Sequence, residues 1–280
     1  MRPRPRALRA NPGSIQARGL TGWWSALGDE QNLLRNLALA GRREAFVLQT
    51  SVGSPAIAEA QMSAALSIGS APGARAQYQV ASAISSYITA SSAALSCWVR
   101  VLADGVSGAN VYLLGHVLGD GTNNYIGIYQ GNLSGGGQKL HIYNWDGNED
   151  SVSVAYVQGQ WHHIMLWHHG GTLALYFDGR LVNSVASGDT QVTSNVLSVG
   201  TNGSWPEVLV ADIRCYSGAW LANPAPLAWS LWHPSTRWEL YGVPELLRPP
   251  MVHVEGGPTA LTWLPQGHTR GERPPILIEG

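Results

Sequence analysis

The sequence of 280 residues predicts an all-β domain, an antiparallel β-sandwich or barrel, on two observations. Short apolar or alternating segments recur along residues 94–216, and Gly-containing loops such as GDGTNN, WDGNED and HHGG separate them. The 33 Gly and 16 Pro favour turns over long helices. About ten strands at this spacing argue against a βαβ arrangement. The predicted strands are 94–101, 111–116, 125–130, 139–145, 151–156, 161–167, 172–177, 180–185, 196–200 and 208–216.

Composition divides the chain into four parts. We expect a basic arm at residues 1–18, a β-rich body at 19–222, a short helix or turn segment at 223–242 and a Pro-rich tail at 243–280. The tail pieces MVHV, ALTWL and PILI are too apolar for a typical disordered tail, so we expect them to pack on a neighbour or extend a sheet edge. The residues expected to serve assembly through the two arms are Arg2, Arg4, Arg6, Trp238, Val252, Val254, Leu261, Trp263, Ile276 and Ile278.

Charge and hydropathy narrow the classes of partner. A net charge of −1 argues against a nucleic-acid-binding domain, and no apolar stretch has the roughly 18 to 20 residues of a membrane span. The basic start has no apolar segment typical of a secretory signal, so we expect assembly in a cytoplasm.

Low charge with 12 Trp fits a large core or a surface covered by partners. Cys97 and Cys215 lie in apolar runs as small hydrophobes, with a disulfide between them as the alternative.

Segments in a fixed order carry a family resemblance. The segments are, in order, GLTGWWSALGDEQNLLRNLA at 19–38, ALSCWVRV at 94–101, the hairpin GQWHHIMLWHHGGTLALYFDGRLVNSV at 159–185, LSVGTNG at 197–203 and VADIRCYSGAWLANP at 210–224. Together they resemble laminin-G-like, concanavalin-A-like domains, which implies a jelly roll over residues 19–224. The Asp-Gly pair inside the hairpin also favours a two-residue turn on its own chemistry.

The closing segment carries a second resemblance. LWHPSTRWELYGVPELLRPP at 231–250 is similar to the end of laminin-G-like proteins encoded by tailed bacteriophages. This implies a non-enzymatic virion structural protein, exposed on the particle and anchored by its arms. Its expected partners are the major capsid protein or tail proteins and copies of itself. Capsid decoration is the favoured role, and a tail or fibre component is the alternative.

Candidate catalytic groups do not form a usable set. Sandwich hydrolases need two carboxylates about 5 to 9 Å apart across a cleft, whereas the nearest pair, Glu149 and Asp150, is sequential in a loop. The paired histidines at 162–163 and 168–169 point to opposite faces of one strand, which argues against a zinc site. We therefore expect no enzyme activity and no catalytic residue.

Two loops offer candidates for ligand contact. Asp120, Asn123, Asp146 and Asp150 are weak calcium candidates, although Asp and Asn in Gly-rich loops also form turns for their own reasons. No other cofactor is expected. The candidates for glycan contact are Trp145, Asp146, Asn148 and Trp205. The same Trp side chains could instead anchor a neighbouring subunit. A module that binds cell-surface glycans is therefore the second functional hypothesis.

Overall fold

The computed structural model describes the chain in separate ranges. These are residues 11–24, 38, 47–52, 57–58, 65–68, 75–83, 86–103, 111–116, 126–131, 139–145, 149–189, 196–200, 207–218, 222–237 and 240. The chain divides into two units, residues 1–242 and 243–280, and every described residue belongs to the first.

The described strands form two antiparallel sheets. They are β1 (Leu20–Trp24), β2 (Val47–Val52), β3 (Ile57–Ala58), β4 (Ala65–Ser67), β5 (Arg75–Ala83), β6 (Ser92–Val101), β7 (Val111–His116), β8 (Ile126–Gly131), β9 (Lys139–Trp145), β10 (Glu149–Val154), β11 (Trp161–His169), β12 (Thr172–Phe177), β13 (Arg180–Ala186), β14 (Val196–Val199) and β15 (Val208–Tyr216). The large sheet has the order β13-β12-β11-β6-β15-β4-β3, with β1 also paired to β15. The small sheet has the order β10-β9-β8-β7-β14-β5-β2.

One core lies between the two sheets. Alternate residues of each strand face it, as the period of two for strand side chains requires. From the large sheet it receives Leu95 and Ile164, and from the small sheet Ile128 and Ile142, all fully buried. The prediction of an all-β antiparallel sandwich is confirmed.

Both cysteines are part of this core. Cys97 and Cys215 are free and buried, and burial raises the pKa of each thiol above its ordinary range. Both thiols are therefore protonated and pack as small apolar side chains, as the apolar runs around them predict.

The outer face of the large sheet is covered by a helix and a helical turn. Helix α1 (Ala225–Trp232) begins after Pro224 and buries Leu227 and Leu231. Trp232 of this helix packs on a cluster that includes Trp98 of β6. A 3-10 turn, Ile15–Ala17, contacts α1 on the same face. None of the helices in the described part of the chain combines the length and hydrophobicity needed to span a bilayer.

The two ends of the described body meet at one place. The backbone N–H of Asn11 donates to the carbonyl of Leu240 at 2.6 Å. Residues 1–10 and 241–280 therefore connect to the body at neighbouring points. Along the chain, Asn11 comes shortly before the 3-10 turn and Leu240 comes after α1.

Candidate binding surface

The outer face of the small sheet carries a group of aromatic side chains. In β8 and β9, Ile128 and Ile142 face the core, so Tyr129, His141 and Tyr143 face outward by alternation. The strand register places Tyr129 directly opposite His141. We call Tyr129, His141 and Tyr143 the outer aromatic row.

The rings of this row pack against each other. The Tyr129 and His141 rings stack with centroids 4.6 Å apart and an interplanar angle of 4°. Tyr129 meets Tyr143 edge-on at 5.5 Å. Gly127 gives the Tyr143 ring its space, because a Cβ there would lie 3.1 Å from Tyr143 Cε1 and 2.8 Å from the Leu114 carbonyl oxygen. The three rings form a buried, close-packed floor.

The row is uncharged at neutral pH. Burial lowers the pKa of His141 below its ordinary value, and the positive charge of Lys139 acts in the same direction. A contact of 3.4 Å between His141 Nε2 and the carbonyl oxygen of Gly131 opposes them. The imidazole is therefore neutral, and the floor is a buried, uncharged support for the residue that follows it along β9.

Trp145 continues this row at the end of β9. It is the next outward residue after Tyr143, it lies opposite Glu149 of β10, and 38% of its surface is exposed. An indole at this exposure presents an apolar face together with an N–H donor. The other predicted contact residues, Asp146, Asn148 and Trp205, lie outside the described residues.

Asp150 sits on the other face of the same hairpin. It lies opposite Asn144, whose side chain is buried and donates to Ser187 Oγ at 2.8 Å and to the Gly188 carbonyl at 3.0 Å. Asp150 and Trp145 therefore do not share one face.

The remaining calcium candidates and the arm residues are not described. Asp120, Asn123 and Asp146 fall outside the described ranges. Within those ranges, no group of three or more His, Cys, Asp or Glu side chains is placed to hold a metal ion. The arm residues outside the described ranges are Arg2, Arg4, Arg6, Trp238, Val252, Val254, Leu261, Trp263, Ile276 and Ile278.

The Trp-His-His and Asp-Gly segments belong to one structural unit. Asp178, at φ 48° in the β12–β13 turn, accepts from the backbone N–H of His163 at 2.8 Å. Its second oxygen lies 2.8 Å from His162 Nδ1, while the Val157 N–H donates to His162 Nε2 at 3.2 Å. Because Nε2 accepts, the proton resides on Nδ1, which donates to Asp178. The hairpin turn is thus tied to the start of β11.

The other histidines of β11 also have structural contacts. His168 Nε2 lies 2.8 Å from the Gly188 carbonyl oxygen. His163 lies on the opposite face, with its ring 5.5 Å from that of Trp98. The alternation of these side chains between the two faces of the strand, expected from the sequence, holds.

Sequence reasoning missed a buried polar network beneath α1. The Arg214 guanidinium, 1% exposed, donates to Asp212 and to Gln16, each at 2.6 Å. The Trp23 indole N–H donates to Asp212 at 3.0 Å, and the Gln16 amide donates to the Ser230 carbonyl at 2.8 Å. Gln16 falls within the predicted basic arm, so the packed chain begins before residue 19. No local sequence signal joins residues so far apart.

Comparison with known families agrees with this architecture. The laminin G type model of the concanavalin A-like lectin/glucanases superfamily matches residues 72–223, more than half of the chain. The chain belongs to this family. The resemblance to laminin-G-like domains is confirmed, and the resemblance of the closing segment to phage proteins stays a prediction. No curated protein matches the sequence.

Solved structures share the fold of this laminin-G-like domain at low identity. Domain 4 of AbnA, an extracellular arabinanase of Geobacillus stearothermophilus solved with arabinotriose, is 15% identical, with a TM-score of 0.55 over 76% of this chain and 98% of that one. The botulinum neurotoxin DC binding domain, solved with rat synaptotagmin II, is 13% identical, with a TM-score of 0.55 over 79% of this chain and 53% of that one. A structure from work on the interaction of botulinum neurotoxin type C with two ganglioside molecules is 13% identical, with a TM-score of 0.54 over 77% of this chain and 52% of that one. The laminin-G-like chain spans about half the length of the neurotoxin chains. These likenesses show the fold alone.

Proposed function

We propose that the protein is a non-enzymatic glycan-binding module and that Trp145 is its central sugar contact. The observation that carries the proposal is an indole 38% exposed at the end of a buried aromatic floor. The stacking of Tyr129 on His141 fixes that floor beneath the outer face. A rigid aromatic side chain with a polar N–H binds at little cost in conformational entropy.

The similar structures support this ligand class. The arabinanase domain was solved with arabinotriose, and a botulinum neurotoxin DC binding domain was solved with SialylT. They support a saccharide as the ligand of this fold, and the choice of Trp145 is argued from the geometry of this chain.

The contacts of two buried or half-buried acids favour a non-catalytic role. Asp178 accepts from His162 and from the His163 backbone, and Asp212 accepts from Arg214 and Trp23. Glycoside hydrolysis needs a pair of carboxyl groups that reach the substrate. Asp178 and Asp212 instead hold the turn and the sheet together.

Binding to arabinotriose and to a sialylated oligosaccharide tests the proposal by calorimetry. Trp145→Ala should weaken binding at least tenfold, because it removes the exposed indole that would contact the sugar. Trp229→Ala is the matched control, since Trp229 is 42% exposed but lies on α1, over the large sheet. Equal losses in the two variants would contradict the proposal, as would an absence of wild-type binding across a broad glycan panel.

A second function, as a structural protein of a phage particle, is favoured by the meeting of the chain ends. The Asn11–Leu240 hydrogen bond brings together the two described residues from which the flanking segments continue. Two flanking segments that start together can attach one domain to the major capsid protein, to tail proteins or to other copies. Attachment by the arms would leave the small sheet available for a cell-surface glycan.

Mass spectrometry of purified virions tests this second function. A simple ratio to the major capsid protein is expected for a shell decoration, and a few copies per particle for a tail or fibre component. Truncation after residue 242 should leave a folded domain that no longer attaches. Absence of the chain from the particles, or full occupancy by the truncated protein, would contradict the role assigned to the arms.

A further inference from the structure

Exposed apolar side chains concentrate at one border of the large sheet. Among the described residues, the exposed large apolar side chains are Trp145, Val157, Leu181, Val182 and Trp229. Leu181 and Val182 belong to β13, and Trp229 belongs to α1, which packs against β13. Trp145 lies on the small sheet and Val157 in a turn before β11. The β13 border is therefore an apolar patch, and clustered exposure of this kind marks interaction sites.

The strand β13 is the edge of the large sheet. Among the described strands it pairs with β12 and has no second neighbour, and six of its seven residues are exposed. Natural edges are blunted by Lys, Pro or charges. β13 reads RLVNSVA, with one charge at its first residue, Arg180, and neither Lys nor Pro. Among the described residues, no strand pairs with its outer side. The Ser184 N–H on that side donates to the exposed Asn183 Oδ1 at 2.9 Å, a contact that a pairing strand would replace.

The register with β12 shows which part of β13 is regular. Tyr176 lies opposite Leu181 and Leu175 lies opposite Asn183, so Val182 is an extra residue at a bulge. From Asn183 to Ala186 the ladder continues without a shift. A new strand would therefore pair along Asn183–Ala186.

This segment is complementary to itself. A two-fold axis perpendicular to the sheet and midway between the two β13 strands would place Ser184 opposite Ser184 of the other copy and Asn183 opposite Val185. Directly opposed residues then share a face, as antiparallel pairing requires. In this register no two side chains of like charge lie opposite each other. The two Ser184 hydroxyl groups do lie opposite each other, which is a favourable cross-strand combination.

We infer that β13 pairs with β13 of a second copy of this chain, so that two large sheets join into one continuous sheet. Beyond Ala186 the second chain would run past Val182 and Leu181 and bury them. The apolar patch continues there onto α1, because Trp232 lies over Gly179 at the start of β13 and its ring is 5.2 Å from that of Trp229. Trp145 lies on the other sheet, so the inference is independent of glycan binding.

A cysteine placed on the proposed axis tests the register. Directly opposed residues have Cα atoms about 4.5–5.5 Å apart, within the range of a disulfide. Ser184→Cys should give a covalent dimer on mild oxidation, seen on a non-reducing gel. Cys97 and Cys215 are buried and should not react. Asn183→Cys, one residue from the axis, and Val157→Cys, in the exposed turn, should give little product. Equal cross-linking of all three variants would overturn the inference.

Sedimentation of the full chain gives a second readout. The wild type should be a dimer, and Leu181→Glu should raise its dissociation constant at least tenfold, because the charge lies within the patch. Val157→Glu is the matched control, with exposures of 53% for Val157 and 55% for Leu181. A monomeric wild type would overturn the inference. A second combination of results would also overturn it: the dimer is lost when residues 243–280 are deleted, and Ser184→Cys does not cross-link. In that case a strand from the tail would occupy the edge.

Discussion

Arg214 shows how one side chain connects distant parts of the chain. Its guanidinium binds Asp212 on its own strand and Gln16 in the 3-10 turn, and it lies over the Trp23 ring at 6.0 Å. The desolvation cost of such a buried pair offsets much of its attraction, but removing one partner leaves a buried charge uncompensated. The network therefore fixes where the N-terminal turn docks on the sheet.

The free energy of unfolding should be sensitive to this network. Arg214→Ala leaves Asp212 buried without its cation, and we expect a loss of about 3–5 kcal/mol, measured by urea denaturation. Arg18→Ala is the control, because Arg18 is exposed and lies away from β13, and such surface changes usually stay within about 0.5 kcal/mol. The double variant Arg214→Met with Asp212→Asn should recover most of the loss. A loss for Arg214→Ala no greater than the control's would refute the assigned role.

At the scale of elements, strands with strong apolar alternation were predictable and weakly patterned ones were not. The structure has the predicted bounds for β7, β9, β12 and β15, whose apolar residues and flanking Gly turns define both face and ends. β2 and β5, with sequences VLQTSV and RAQYQVASA, were not predicted. Their Gln, Ser and Ala residues give little contrast between faces, so neighbouring strands decide their conformation.

The candidate site was predictable in part for a related reason. Trp145 stands out because a Trp at the tip of a polar hairpin is hard to bury. The stacking of Tyr129 on His141 requires the register between β8 and β9, which the order of residues in either strand does not reveal. The contact of His162 with Asp178 likewise joins two visible motifs through a register that becomes known only in the folded hairpin.

At the scale of the whole molecule, several histidines are buried in the neutral form. Burial, followed by the charge of Arg214, lowers the pKa of His163 to about 3. Burial also lowers the pKa of His141 and of His168. They lie on both sheets, so their protonation opposes the fold as a whole.

This arrangement predicts a loss of stability in mild acid. In the unfolded chain these histidines bind a proton below about pH 6.5, whereas the native fold holds them neutral to lower pH, so unfolding takes up protons. The free energy of unfolding should therefore fall as pH decreases from about 6.5 toward 3, with each such group contributing at most about 1.4 kcal/mol per pH unit. Urea denaturation should be measured between pH 7 and about pH 5, where most carboxyl groups stay ionised. The change in the free energy of unfolding over this interval then comes mainly from the histidines. His163→Leu should give a flatter dependence, because one of the groups that resist protonation is gone. A dependence parallel to the wild type's would show that His163 does not resist protonation in the fold.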